Sequence, residues 1–496
     1  MMKKTFGILL ILMLLVGCST QKQHIVPEIN SVYYEIFVAS FYDSDDDGMG
    51  DLEGIRQKLD YIQYDLGATG IWLMPINPSP TYHKYDVVDY KAIDEAYGTM
   101  DDFENLVNDM QDRNMDLILD FVINHSSSKH PWFQKAISAH LNDTCDETIE
   151  CDFYNFETTN VGGYHKLTDS LYYEGDFWSE MPDLNLHNEI LKEELLDSAK
   201  FWLDKGVKGF RLDATTHFFS DSHEDNVKFL KWFNTEIKNY KEDAYLVAEA
   251  WTSDAIIEDM YRSGVDSFFN FGAAQNSGKI VKNLNSKSGL KLSQDIEKYE
   301  NRISGKNENA IDAPFLSNHD NNRSAGYLSS LTTQKLAASI YLLLPGNPFI
   351  YYGEEIGMKG SGIDENKRLP MLWDETTSKG YTKAPENADY QDHAPLSVKE
   401  ALKDKDSLLN HYQHVISIRN QYPEISREKY ESLNLGDPSL YASRQDHIVI
   451  VHNLSEEAKT FEIDAEKTVS ILGKHKKKGS TITLEPQSSV LIEERR

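Results

Sequence analysis

The chain has 496 residues, enough for one large α/β domain and one or two smaller ones. Its 50 Lys and Arg against 80 Asp and Glu leave a net charge of −30. A surface that acidic repels nucleic acid and anionic polymers, so a neutral substrate fits better and no nucleic-acid partner is expected.

Lys3 and Lys4 precede an apolar stretch over 6–17. It is too short to span a bilayer, which takes about 20 apolar residues, but it suits the core of a signal peptide. Leu15-Val16-Gly17-Cys18 resembles the cleavage box of bacterial lipoproteins. On that resemblance 1–17 is a signal peptide, Cys18 the lipidated first residue of the mature chain, and 18–30 a polar tether. The expected location is extracytoplasmic, anchored to the cell membrane. In that compartment Cys145 and Cys151 are expected to close a small disulfide loop. Zinc is not expected there, because no nearby His or second Cys pair completes a ligand set.

A β-then-α alternation starts after the tether. Residues 32–41 read as a strand. Ile55, Leu59, Ile62 and Leu66 then recur at helical spacing, predicting an amphipathic helix over 52–66 that stops at Gly67. GIWLMPI (70–76) is a continuous apolar run, as in a parallel strand buried on both faces. Thr99 and Asp102 form a capping-box start for a helix carrying Phe103, Leu106, Val107 and Met110. DLILDFVIN (116–124) predicts a third strand. About sixty polar residues then show no helical period, and a loop that long is usually functional or a small subdomain. A helix over 188–205, stopping at Gly206, restores the rhythm. Strands follow near 207–213, 245–250, 265–271, 313–318 and 348–352, which makes eight. From about 430 short alternating stretches at 447–453, 460–463, 480–484 and 489–492 predict an antiparallel β-domain; 474–478 is a basic tip. The expected fold is a (β/α)8 TIM barrel over 31–125 and 187–425, with a subdomain inserted after strand three (126–186) and a C-terminal antiparallel β-domain (426–496).

Three apolar runs end on acids: GFRLDATTH (209–217) holds Asp213, AYLVAEAW (244–251) holds Glu249, and APFLSNHD (313–320) ends at Asp320. In (β/α)8 enzymes the catalytic groups come from the C-terminal ends of several strands. Two carboxyl groups flanking a glycosidic bond are the minimum apparatus for sugar hydrolysis.

DFVINH (120–125), MPDLN (181–185), GFRLDATTH, VAEAW (247–251) and SNHD (317–320) occur in the order seen in the α-amylase family of glycoside hydrolases, family 13. The resemblance covers the chain from about residue 31. It implies Asp213 as nucleophile, Glu249 as acid and then base, and Asp320 as the acid that binds sugar hydroxyls and favours ring distortion, with retention of anomeric configuration. It gives Tyr85, His125, Arg211, His217 and His319 as substrate-binding residues. Arg211, two residues before Asp213 and so on the same face, is also expected to keep Asp213 ionised.

Asp43-Ser-Asp45-Asp-Asp47-Gly-Met49-Gly-Asp51 alternates acids with glycine bends and suits calcium. Its expected ligands are Asp43, Asp45, Asp47, Asp51 and the Met49 carbonyl. The family resemblance adds a second metal position at Asn124, Asp183 and the His217 carbonyl. MPDLN looks intermediate between amylases and oligo-1,6-glucosidases, and RLPMLWD (368–374) resembles the latter. Ala214 and His217 match amylases. The expected activity is that of a monomeric, endo-acting α-amylase on α-1,4 links of starch and maltooligosaccharides. The alternatives are an α-glucosidase or cyclomaltodextrinase-like enzyme with transglycosylation, and a non-catalytic maltodextrin-binding lipoprotein.

Overall fold

A computed structural model describes residues 30–220, 222–390 and 394–495. The signal segment, Cys18 and the tether up to residue 29 lie outside the described residues. The alternation begins with β1 (Tyr33–Ile36), α1 (Leu52–Gln57), β2 (Gly70–Leu73), α2 (Met100–Asp112) and β3 (Asp116–Phe121). The insertion contributes α3 (Pro131–Leu141), β4 (Phe156–Glu157), β5 (Tyr164–Thr168) and β6 (Leu171–Glu174). The barrel resumes with α4 (Glu189–Asp204), β7 (Gly209–Leu212), α5 (His223–Tyr240), β8 (Tyr245–Ala248), α6 (Asp254–Met260) and β9 (Ser267–Phe269). It ends with α7 (Lys279–Ser286), α8 (Gly289–Lys306), β10 (Ile311–Ala313), α9 (Ser324–Tyr327), α10 (Leu331–Tyr341) and β11 (Phe349–Tyr351).

The eight barrel strands pair in parallel in the order β10-β9-β8-β7-β3-β2-β1-β11. Two backbone bonds draw the open edges together: Asn347 N–H to the Asp312 carbonyl at 2.8 Å and Phe349 N–H to the Pro314 carbonyl at 2.9 Å. The lumen is packed with side chains. Tyr33 stacks on Tyr245 at 5.4 Å and on Phe349 at 5.0 Å, while Phe269 meets Trp72 and Phe349 at 5.4 and 4.9 Å. Gly70 makes room for this layer, since a Cβ there would come within 2.5 Å of the Tyr33 ring.

Several expected elements differ in extent. The helix expected over 52–66 is α1 followed by a wider turn over Tyr61–Leu66, in which Gly67 N–H reaches the Ile62 carbonyl. Ile55, Leu59, Ile62 and Leu66 are nonetheless all buried. The strand expected over 313–318 is displaced: β10 stops at Ala313 and Pro314, which lacks an N–H, begins a buried irregular segment. The insertion carries a helix that the sequence reading left out. His130 Nδ1 accepts the Trp132 N–H at 3.1 Å, Pro131 sits at the first helical position, and Phe133, Ala136 and Ala139 of α3 are buried.

The C-terminal part forms a five-stranded antiparallel sheet and a three-stranded one. Val449, Val451, Phe461, Ile482, Leu484 and Val490 form a core between them, while Tyr441, Ile450 and Leu491 pack toward the barrel. The basic tip is an exposed edge strand, His475–Lys478, where lysines discourage pairing with another chain.

Candidate active site

Alternation along each strand sends every second side chain into the lumen. Above the aromatic layer the next inward groups are charged: Glu35 on β1, Asp120 on β3 and Arg211 on β7. Arg211 is fully buried and binds three carboxylates. Its Nη1 donates to Asp120 Oδ1 at 2.8 Å and to Asp213 Oδ1 at 2.5 Å, and its Nη2 donates to Glu249 Oε2. Asp213, one residue past β7, and Glu249, one past β8, are therefore held side by side by a single cation. The Thr215 N–H, at 2.9 Å from the Glu249 carbonyl, ties the two strand ends together. Ala214 between them has φ +46°, a left-handed conformation uncommon outside glycine.

One cation cannot neutralise three buried acids, so protons are shared within the set. Burial pushes Glu249 up to about 7; Arg211 opposes this, and the charges of Asp213 and Asp320 add to it. Burial also raises Asp120 to about 7 against the same guanidinium. Both carboxyls thus hold protons into the neutral range, and Glu249 is the one of the two that faces the cavity, where a general acid is needed.

Asp320 reaches the site from the loop beyond β10. Its side chain keeps 28% of its surface exposed, and its two oxygens meet Arg368 Nη2 and His319 Nε2, both at 3.0 Å. Burial would raise its pKa, but protonated His319 and Arg368 outweigh it and hold the carboxyl below the usual range.

These carboxyls open onto a cavity of about 570 Å³. The Tyr85 ring, His125 and His217 line it, as the sequence suggests. His125 Nε2 is buried with no protein partner, and burial lowers its pKa, leaving a neutral imidazole nitrogen free for a hydroxyl. The Tyr85 hydroxyl turns away, donating to Asp120 at 3.0 Å beside His319 Nε2 at 2.7 Å, so only its ring serves the cavity. Arg211 and His319, also expected at the substrate, are fully buried behind the acids and are not among the residues that line the open cavity. They hold the carboxylates that wall it.

The insertion folds over the mouth because residues 181–185 pair with the end of β3. Leu184 N–H meets the Asn124 carbonyl at 2.9 Å, and Ser126 N–H meets that of Pro182 at 3.1 Å. Met181 is thereby brought to the cavity beside Phe177 and Trp178. Trp251, 52% exposed and stacked on Phe271 at 5.4 Å, offers a flat apolar face on the wall next to Glu249.

In the aspartate loop, carboxylate oxygens of Asp43, Asp45 and Asp51 lie within 4.8 Å of one another. The donors are all oxygen, which fits a hard cation such as calcium. Asp47 does not join them: its Oδ1 accepts the Met49 N–H at 2.6 Å, and Lys383 Nζ binds its carbonyl at 2.9 Å. Of the second expected set, Asn124 and Asp183 are brought together, Asn124 Nδ2 donating to Asp183 Oδ1 at 3.1 Å, while the His217 ring pairs with Asp176 at 2.6 Å. Cys145 and Cys151 are bonded, with Cα atoms 5.7 Å apart. Contrary to expectation a His lies near: α3 brings His140 within 4.8 Å of both sulfurs, which the disulfide already occupies.

Sequence reasoning missed Glu35, Asp120, Arg368 and Trp251. Asp120 and Trp251 lie inside motifs read for other residues, and Arg368 opens RLPMLWD. Glu35, a single acid in an apolar strand, carried no local signal.

The family profile described as "Alpha amylase, catalytic domain" matches residues 35–428. Alpha-amylase 3 of Dictyoglomus thermophilum is 40% identical over 480 residues, covering 93% of each chain. The 4-alpha-glucanotransferase of Thermotoga neapolitana is 31% identical over 444 residues, 86% of this chain and 97% of its own. Among solved structures, Eubacterium rectale Amy13B superposes with a TM-score of 0.91 at 38% identity, over 95% of this chain and 96% of its own.

Proposed function

This chain belongs to the α-amylase family of glycoside hydrolases, and within that family we propose a retaining, endo-acting α-amylase that cleaves α-1,4-glucosidic bonds of starch and maltooligosaccharides. The observation that carries this reading is the pairing of Asp213 and Glu249 across the Arg211 guanidinium, with burial raising the Glu249 pKa to about 7.

In this mechanism Asp213 attacks the anomeric carbon while Glu249 gives its proton to the departing glycosidic oxygen, which leaves as an alcohol. A glycosyl ester on Asp213 results. Glu249, now a carboxylate, takes a proton from water; the water oxygen attacks the anomeric carbon and the ester bond breaks, restoring both groups. Asp320, held ionised by Arg368 and His319, accepts sugar hydroxyls, and His125 Nε2 meets another. The Tyr85 ring packs on the sugar face.

A second reading, an α-glucosidase or cyclomaltodextrinase-like enzyme that also transfers glycosyl units, is favoured by the Trp251 face beside Glu249, which suits an acceptor sugar, and by the relative named as a 4-alpha-glucanotransferase. Products formed over time from maltoheptaose, pullulan and cyclodextrin separate the two. A spread of short maltooligosaccharides supports the amylase; glucose alone, or products longer than the substrate, supports the second reading. The intermediate MPDLN type remains part of the proposal, Met181 being its cavity-lining member.

We also propose calcium at the aspartate loop, held by Asp43, Asp45 and Asp51, where it would neutralise their mutual repulsion and fix the loop. Lipidation at Cys18, an extracytoplasmic location at the membrane and a monomeric state complete the proposal.

A further inference from the structure

Glu35 sits on β1 between Trp72 of β2 and Tyr351 of β11, 1% exposed, with its carboxylate pointing up the lumen. One oxygen, Oε1, meets His319 twice: the backbone N–H at 3.3 Å and ring Nδ1 at 2.5 Å. At the other end of the ring, Nε2 faces Asp320 Oδ2 at 3.0 Å and the Tyr85 hydroxyl at 2.7 Å. Tyr85 in turn donates to Asp120 Oδ2 at 3.0 Å.

The direction of each hydrogen bond follows from this chain. Glu35 Oε1 already accepts the His319 backbone N–H, so it meets Nδ1 as an acceptor and Nδ1 carries a proton. The Tyr85 hydroxyl proton is committed to Asp120, so it cannot also be given to Nε2. A bare Nε2 would then set its lone pair against those of Asp320 and Tyr85. With a proton on Nε2 every contact is satisfied: one N–H to Glu35, and the other shared by Asp320 and the Tyr85 oxygen. The groups facing His319 are Glu35, Asp320, Tyr85, Asp120 and Glu249, with Arg211 and Arg368 as the opposing cations and the Trp72 ring edge-on at 5.6 Å. Four carboxyl groups against two arginines leave room for a third cation.

We propose that Glu35 is a positioning residue that holds His319 as a doubly protonated imidazolium, and that this cation grips Asp320 and moderates the negative charge around Glu249. Glu35 touches no substrate; it acts through His319. Burial alone would lower the His319 pKa, but Asp320 and Glu35 outweigh it and raise the value to about 9. Without the Glu35 charge the ring becomes neutral in the neutral range, Asp320 loses one of its two cationic partners, and the sugar hydroxyls it binds are held less firmly. The inference rests on the catalytic reading above, yet its test does not depend on turnover.

The test is carbon-13 NMR of histidine-labelled protein, with the His319 resonance assigned by its loss in His319→Gln. In the unmodified protein the ring should remain imidazolium from pH 5 to about pH 8. In Glu35→Gln, which keeps the shape and an acceptor but not the charge, the ring should titrate about three pH units lower, near 6. The kinetic companion is the pH profile of Glu35→Gln on maltoheptaose: kcat should fall about 30-fold or more at pH 7.5 and recover to within about 3-fold at pH 5, where the ring is protonated again. A neutral His319 at pH 7 in the unmodified protein overturns the proposal whatever the variant does. So does a Glu35→Gln loss that is equal at both pH values, the mark of a purely structural role. Failure of the catalytic reading shows elsewhere, as full activity in Glu249→Gln.

Discussion

Replacing Arg211 tests the electrostatic core of the site. Its guanidinium is fully buried and pairs with Asp120, Asp213 and Glu249, whose side chains are themselves 0%, 11% and 10% exposed. Removing one partner of a buried pair leaves uncompensated charge and costs about 3–5 kcal/mol. Arg211→Met should lose that much at pH 8. The pH dependence has a definite sign. Asp120 and Glu249 have folded pKa values raised to about 7, so the folded protein holds protons that the unfolded chain has released. Stability therefore falls as pH rises from the unfolded carboxylate range toward about 7. Without Arg211 both acids hold their protons to still higher pH, so the penalty is largest at pH 8 and smallest near pH 5, where both are protonated. Urea denaturation at the two pH values reads this directly. If about 3 kcal/mol of the loss also appears in the barrier, kcat/KM on maltoheptaose drops about 150-fold. Arg211→Lys should fall between the two, since one ammonium cannot reproduce the fork. A loss under about 1 kcal/mol at pH 8, or the same loss at pH 5 and 8, refutes the argument.

Three further outcomes are expected. Because Glu249 must be protonated to act and titrates near 7, kcat/KM should fall about tenfold per pH unit on the alkaline side of about pH 7; a flat profile to pH 9 contradicts that role. Chelation should lower the melting temperature through the Asp43, Asp45 and Asp51 cluster, and calcium at a thousandfold its Kd should restore about 4 kcal/mol; an unchanged transition means the loop holds no ion. At Ala214, with φ +46°, Ala214→Gly should be neutral or stabilising and Ala214→Val should cost about 1–3 kcal/mol in thermal unfolding; equal effects would show that the backbone there is unstrained.

The fold was legible wherever local chemistry acts alone. The capping box of Thr99 and Asp102 forms as its spacing suggests, with the Asp102 N–H 3.2 Å from Thr99 Oγ1 and the Thr99 N–H 2.8 Å from Asp102 Oδ2. Strand lengths were over-read, because burial and strand pairing are different things. Met74, Ile76, Phe315 and Leu316 are as buried as any strand residue, yet they lie past the ladder on the crowded upper rim. The helix α3 was missed although His130 and Pro131 mark its start; its apolar face is short and lies inside a polar segment. At the site, Asp213, Glu249 and Asp320 were legible because each ends an apolar run within a recognisable motif. Glu35 was not, because its meaning comes from His319, 284 residues away. Arg211 and His319 were placed in the right neighbourhood, but their burial was not legible, since sequence cannot say whether a charged side chain faces the cavity or the carboxylates that wall it.

The central claim is that Asp213 forms a glycosyl ester which Glu249 then resolves with water. Proton NMR of maltoheptaose hydrolysis, recorded before mutarotation equilibrates the product, reads this from the new reducing end. The account predicts that the α-anomer appears first. The β-anomer appearing first would mean direct displacement by water and would contradict it.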